Sequence, residues 1–324
     1  MSNKVLKPKK ASLYQFTQNY SNNIDNCIEF FKSMKWPEGF SCDRCGCHKY
    51  YLVKRVGKTK TSYVLECSSC HKQHSLLSGT IFQSCKLDLY KLLLGIFLFF
   101  NENKGISAIE LCSILDVNYK TALLLESKCR ILMSLSNSDQ LLNSLFYEAD
   151  VFNIGAKSRN KAGRASEQQP VLGILSTDKE NSYPRFIKLR LINDYTGLSL
   201  KKNIEKCCVL SHDALLNTDG EKGFNTLNGE IQVKNEKISY EEKDHRLLWL
   251  NIIIGNIKNN ITGIYHGITK REMPLFLNEQ EYRFNHRKMG KTVMDKVKKY
   301  LQKSFPISHR QIVYILNISA PYFS

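Results

Sequence analysis

Two Cys-x-x-Cys pairs, Cys42/Cys45 and Cys67/Cys70, constrain this chain more than any other feature. Thiolates two residues apart on a tight turn reach one ion, and two such turns complete a tetrahedral site. Residues 46–66 separate the pairs; that is slightly more than the usual spacing of about 15–20, an excess a longer hairpin tip absorbs. Apolar-rich strands are expected over 50–56, 62–66 and 74–82, leading into or out of each pair. The pattern predicts a zinc ribbon over 37–84, with Cys42, Cys45, Cys67 and Cys70 holding a structural Zn2+. The spacing by itself also accepts iron. Cys47, His48, His71 and His74 lie near enough to substitute, but four thiolates already fill the site and leave no position for a reacting water. The remaining cysteines (27, 85, 112, 129, 207 and 208) read as small core residues.

Charge narrows the class of partner. The 324 residues carry 47 Lys+Arg against 30 Asp+Glu, a net +17, which favours a polyanion: nucleic acid or an anionic membrane surface. The apolar run 92–100 falls short of the roughly 20 residues that span a bilayer. The basic start has no apolar h-region, so no secretory signal is expected. A length of 324 residues suits about two folded domains, and a hydrophobic share of 42% excludes wholesale disorder. Eleven cysteines then indicate reduced thiols and metal rather than a disulfide framework. The expectation is a soluble cytoplasmic protein, nucleoid-associated when bound to DNA, with no membrane partner. The basic ribbon tip, residues 54–60, is open to two readings: a phosphate contact or a solvated turn.

Residues 85–136 read as helices after an N-terminal segment, 1–36. Leu87, Tyr90, Leu93 and Leu94 recur at helical spacing. Residues 108–115, a turn at 116–118 and a second helix over 119–133 have the layout of a helix-turn-helix. Ile109, Leu111, Ile114 and Leu115 are expected to face inward. Lys120, Lys128 and Arg130 on the second helix suit a DNA groove and its phosphates, although an ordinary helical hairpin shows the same pattern.

The polar stretch 137–143 marks a boundary, beyond which a mixed α/β domain is expected over 143–288. Strands are predicted at 144–152, 170–176, 184–192 and 214–218, and helices at 199–209 and 244–263. Asp150 lies inside an otherwise apolar strand, Asp219 ends a strand just before Gly220, and Asn251 sits in an apolar helix. A carboxylate in a buried strand is costly unless it is paired or binds a metal. The plainer alternative is that Asp150 bonds a loop amide and Asp219 is a turn residue. Residues 289–324 form a basic C-terminal tail. Its helical stretch 288–303 suits packing on the domain or lying along DNA.

Several short motifs in one order carry a resemblance. They are Gly79-Thr80-Ile81-Phe82, Gly105-Ile106-Ser107-Ala108, Tyr119-Lys120-Thr121-Ala122, and Glu148-Ala149-Asp150 with Ile154-Gly155. Later come Thr218-Asp219, Trp249-Leu250-Asn251, Ile257-Lys258, Gly263-Ile264-Tyr265-His266-Gly267 and Tyr282-Arg283-Phe284-Asn285. Over about residues 35–288 the chain resembles bacterial insertion-sequence transposases of the ISXO-like group, related to the eukaryotic Merlin elements. The resemblance implies a ribonuclease-H-like catalytic domain behind the ribbon and helix-turn-helix. It maps Asp150, Asp219 and Asn251 onto the ligands of two catalytic Mg2+ or Mn2+ ions. It also implies a DNA transposase that binds the ends of its element, cleaves them and transfers the strands. Double-stranded DNA, both element ends and target, is the implied partner, bound by a homodimer or larger synaptic complex.

Most such transposases have Glu where this chain has Asn251, while some branches share the Asn. An amide oxygen ligates Mg2+ without charge, so weaker binding is expected. Asp244, seven residues earlier, is about 10.5 Å away along a helix and no local substitute. Lys258 is expected either to hold a phosphate beside the metals or to be a plain surface lysine. His266, Arg283 and Asn285 match motifs without an assigned role. Two other readings stay open: an inactive or domesticated, transposase-derived sequence-specific DNA-binding protein, and a structural zinc protein.

Overall fold

Short polar caps punctuate the chain. Asn23 Oδ1 accepts the Asn26 N–H and Asp88 Oδ1 the Lys91 N–H, fixing two helix starts by satisfying first-turn donors. The computed structural model describes residues 12–57, 61–137, 141–155, 168–179, 183–235, 247–287 and 293–314. In chain order the elements begin with α1 (Leu13–Tyr20), α2 (Ile24–Lys35), β1 (Tyr50–Val56), β2 (Thr61–Cys67) and β3 (Gln73–Ser75). Next come α3 (Leu89–Asn101), α4 (Ala108–Leu115), α5 (Tyr119–Asn137), β4 (Phe146–Ile154), β5 (Gln169–Thr177) and β6 (Pro184–Leu191). Then follow α6 (Gly197–Cys207), β7 (Leu215–Thr218), a short 3-10 helix (Lys222–Leu227), β8 (Gln232–Asn235), α7 (Leu248–Gly263), α8 (Met273–Asn285) and α9 (Val293–Lys303). No helix among the described residues is long and apolar enough to cross a membrane. The chain divides into two compact units, one of Met1–Leu135 with Lys288–Ile312 and one of Ser136–Arg287 with Val313–Ser324.

In the first unit β1, β2 and β3 form an antiparallel sheet in that order, with Tyr50 opposite Cys67. The strand expected over 74–82 stops at Ser75. Leu76, Leu77, Ile81 and Phe82 are buried all the same, because tight turns such as Thr80 N–H to Leu77 O at 3.2 Å carry them inward. Helix α3 buries Leu92, Leu93, Ile96, Phe97 and Phe99. Asp116 closes α4 in the left-handed conformation, φ 49°. Asn118 then opens α5 by accepting the Thr121 N–H at 2.9 Å. Leu111 and Leu115 face inward, whereas Ile109 and Ile114 are 65% and 47% exposed. The inward stripe of α4 is Ala108, Leu111 and Leu115, at steps of three and four; Ile109 and Ile114 fall off it. Helix α9 belongs to this unit. It buries Val293, Val297 and Leu301, and its Lys298 Nζ and Gln302 Nε2 donate to Ser33 Oγ and Met34 O of α2 at 3.1 and 2.9 Å.

The second unit is a five-stranded sheet of order β6-β5-β4-β7-β8. β4, β5 and β6 are mutually antiparallel, while β7 runs parallel to β4 and β8 parallel to β7. Strand alternation divides β4 between two cores. Tyr147 and Ala149 pack with Leu200, Ile204, Phe224 and Leu227 of α6 and the 3-10 helix. Phe152 and Ile154 pack with Leu250, Ile253, Ile254 and Ile257 of α7 and with Phe276 of α8. β8 and α8 extend beyond the elements predicted above. The four residues of β8, Gln-Val-Lys-Asn, are too polar to read as a strand until the parallel ladder to β7 is seen.

Candidate functional site

The ribbon gathers its thiols by two matching turns. Gly46 N–H donates to Cys42 O at 2.9 Å and His71 N–H to Cys67 O at 3.0 Å. Gly46 (φ 70°) and His71 (φ 59°) adopt the left-handed conformation that closes each turn. Cys42 and Cys70 bring their sulfurs to 3.5 Å, as do Cys45 and Cys67, and all four sulfurs lie within 4.8 Å of one another as free thiols. A tetrahedral zinc with bonds of about 2.3 Å sets its sulfurs about 3.8 Å apart, so the donor set fits Zn2+. At Cys42 burial pushes the thiol up, but the Arg44 and Cys45 backbone amides, His74 and Cys70 outweigh it and bring it to about 6. His74 groups with Cys42 and Asp43. The other proposed substitutes are engaged elsewhere: Cys47 with Lys49 and Ser68, His48 with Phe40 O, and His71 with Glu66.

In the second unit the register of two parallel strands sets the geometry. Ala149 pairs with Thr218, so Asp150 and Asp219, the next residue on each, come side by side where β7 ends. Asp150 is half-buried and Asp219 exposed. Burial raises the Asp150 carboxyl, the nearby charge of Asp219 raises it further, and Lys258 of α7 opposes both. The Asp150 Oδ1 accepts the N–H of its neighbour Val151 at 2.7 Å. Burial and the acidic neighbour both disfavour charge on Asp150, so a nearby cation would stabilise it, and this donor set suits a hard divalent ion such as Mg2+ or Mn2+.

Helix α7 lies over the same face of the sheet. Lys258 is exposed, with Nζ 5.7 Å from the centroid of Phe152, which shares a face of β4 with Asp150. Asn251 is exposed seven residues before Lys258, on the same face of the helix. Gly173, paired opposite Asp150 on β5, admits this helix: a Cβ there would lie 3.3 Å from Leu250 Cδ1 and 3.3 Å from Phe152 Cε1. Asp244 lies outside the described residues.

Glu148 is the residue for which the sequence suggested no role. It is 1% exposed on the Asp150 face of β4, and its Oε2 accepts the Leu250 N–H at 3.0 Å. Burial lifts its carboxyl to about 7. Its signal is the alternation in Glu148-Ala149-Asp150, which puts two carboxylates on one strand face.

The residues expected at DNA divide. Lys120 is exposed at the start of α5. Lys128 is buried and donates to Ile81 O. Arg130 is buried in an ion pair with Glu126 at 2.7 Å. The long α5 turns both charges into the helical core, so neither presents a free cation to a groove. Lys54 and Arg55 of the ribbon tip are exposed, and residues 58–60 lie outside the described residues. Arg283 pairs with Glu279, which also accepts from Tyr265 Oη at 2.5 Å. Asn285 is bonded to the backbone of Ile187. Only His266 of these three motif residues is exposed, in the left-handed region at φ 52°.

Two known domain families match this chain. Residues 23–73 match the transposase zinc-ribbon domain, and residues 146–285 match the ISXO2-like transposase domain. No curated protein gives a match. The chain thus carries a transposase zinc-ribbon domain followed by an ISXO2-like transposase domain, and the two together support a transposase of that family.

Proposed function

We propose that this chain is a DNA transposase that binds the ends of an insertion sequence, cuts them and joins them to target DNA. The observation that carries the reading is the side-by-side placement of Asp150 and Asp219 on adjacent parallel strands, with Lys258 close enough to act on Asp150. The sheet order supports a ribonuclease-H-like catalytic domain: three antiparallel strands, then two parallel ones added beside the first. In this reading Asp150, Asp219 and Asn251 would hold the divalent cations. When bound, Mg2+ or Mn2+ supplies Lewis-acid polarisation of a phosphodiester and acidifies a water.

The chain's own groups do the rest. Asp150 and Asp219 provide the negative charge, and Asn251 adds a neutral amide oxygen. Lys258 offsets phosphate charge and orients the scissile strand. In the first step water attacks phosphorus, the bond from phosphorus to the 3′ oxygen breaks, and a 3′-OH is released. In the second that 3′-OH attacks a target phosphodiester: one phosphorus–oxygen bond forms, one breaks, and no energy source is needed. Target and element ends are held by exposed cations, Lys120 of α5 and Lys54 and Arg55 of the ribbon, in a dimer or larger synaptic assembly.

DNA bearing the gene's own flanking sequences, incubated with Mg2+ or Mn2+, tests the reading. Nicking and joining at defined ends, absent from Asp150→Ala, is the expected result. The neutral Asn251 favours a second reading, a transposase-derived protein that binds specific DNA without cutting it; specific binding with no cleavage in either metal would establish that one instead.

A further inference from the structure

We propose that Glu148 is the positioning residue that holds the start of α7 on β4 and thereby sets Asn251 beside Asp150. This rests on the reading of Asn251 as a metal ligand. Helix α7 begins without a side-chain cap of its own, Leu247 supplying none. The first-turn N–H groups of a helix have no partner within it. One of them, on Leu250, is taken by Glu148 Oε2 at 3.0 Å from 102 residues away. A carboxylate suits that place, since helix N-termini carry partial positive charge.

The same contact fixes the neighbourhood of Asn251. Leu250 is held through its backbone by Glu148, and its fully buried side chain packs over Gly173, the partner of Asp150 on β5. Asn251 follows directly. Strand β4 therefore carries both a ligand, Asp150, and the clamp for the helix that brings another. Packing alone does not account for a carboxylate here. Glu148 is 1% exposed, and its Oε1 has no hydrogen-bond partner among the described residues. An apolar side chain of similar volume would avoid that desolvation cost. What an apolar side chain lacks is an acceptor for the Leu250 N–H.

The test is titration of the zinc-loaded full chain with Mn2+, following free Mn2+ by electron paramagnetic resonance. Glu148→Gln keeps an oxygen acceptor at full reach, whereas Glu148→Asp keeps the charge and withdraws it by one methylene. Glu148→Gln is expected to bind Mn2+ within about threefold of the wild type. Glu148→Asp is expected to bind about tenfold more weakly, the low end of what losing a hydrogen bond to a charged group is worth. Circular dichroism checks that both variants fold. The opposite order, or equal affinity for both, would overturn the proposal. Asp150→Asn separates the two levels: if it binds Mn2+ like the wild type, the metal-site reading fails and this proposal with it. If Asp150→Asn loses binding while Glu148→Asp keeps it, only the positioning role falls.

Discussion

Lys128 Nζ donates to the carbonyl oxygen of Ile81 at 2.5 Å and lies 5.8 Å from the centroid of the Phe82 ring. A lysine that reads as a DNA contact thus ties α5 to the turns that follow the ribbon. Burial pushes its ammonium below the usual lysine range. Lys128→Met is expected to leave DNA affinity and its salt dependence unchanged. Lys128→Ala leaves Ile81 O without its donor and is expected to cost about 1–3 kcal/mol of stability. Lys120→Ala is expected to weaken binding to all sequences and to lower the salt slope by about one. Fluorescence anisotropy between 50 and 200 mM salt, with thermal melts alongside, separates these effects. A weakened, shallower binding curve for Lys128→Met would return Lys128 to the DNA interface.

Asn285 behaves as a piece of strand. Its Oδ1 accepts the Ile187 N–H at 2.8 Å and its Nδ2 donates to Ile187 O at 2.9 Å, closing the outer edge of β6, which is an edge strand of the sheet. Asn285→Ala removes both bonds and is expected to destabilise the second unit by about 2 kcal/mol, at about 1 kcal/mol each. Asn285→Asp keeps the acceptor only and is expected to lose part of that. Urea unfolding measures both; a stable protein with impaired cleavage would instead place Asn285 in the chemistry.

The zinc site should be structural. Ribbon strands this short bury little, chiefly Val64, Leu65, Cys67 and His74, so metal binding supplies much of their folding free energy. Cys70→Ser, or prolonged chelation, is expected to abolish the ribbon and reduce DNA binding. The second unit should keep its circular dichroism. Metal analysis is expected to find about one zinc per wild-type chain; iron in its place would correct the identity of the ion but not the site.

Helix α9 is expected to be indispensable to the first unit. Leu301 is 1% exposed and Val297 fully buried. Leu301→Ala is therefore expected to cost about 2–5 kcal/mol. Removal of residues 293–324 is expected to abolish DNA binding through loss of fold. A truncated chain that melts like the full one would show α9 to be dispensable.

What the sequence made legible was local or periodic. The paired Cys-x-x-Cys turns announce their own chemistry, and the apolar-rich runs of β4, β5 and β6 read as strands, with Asp150 inside the first. The remainder depends on distant partners. Residues 76–82 look like a strand because Leu76, Leu77, Ile81 and Phe82 are apolar, yet turns bury them. Lys128 and Arg130 look like groove contacts until α5 is seen to rotate them into the core. Glu148 meets Leu250 across 102 residues, and no spacing rule links the two. The basic stripe of α9 suggested DNA or the catalytic domain, whereas its apolar stripe docks on α2 and α3.

The central claim is that Asp150, Asp219 and Asn251 surround one divalent-cation centre. Fe2+ in place of Mg2+, with ascorbate, generates hydroxyl radicals that cut the polypeptide beside the ion. Fragments mapped by mass spectrometry are expected to end near Asp150 in β4, just after β7 at Asp219, and in the first turns of α7 at Asn251. All three cuts should fade together in Asp150→Ala and with excess Mg2+. Cuts at only one of the three segments, or cuts that persist in Asp150→Ala, would contradict a shared centre.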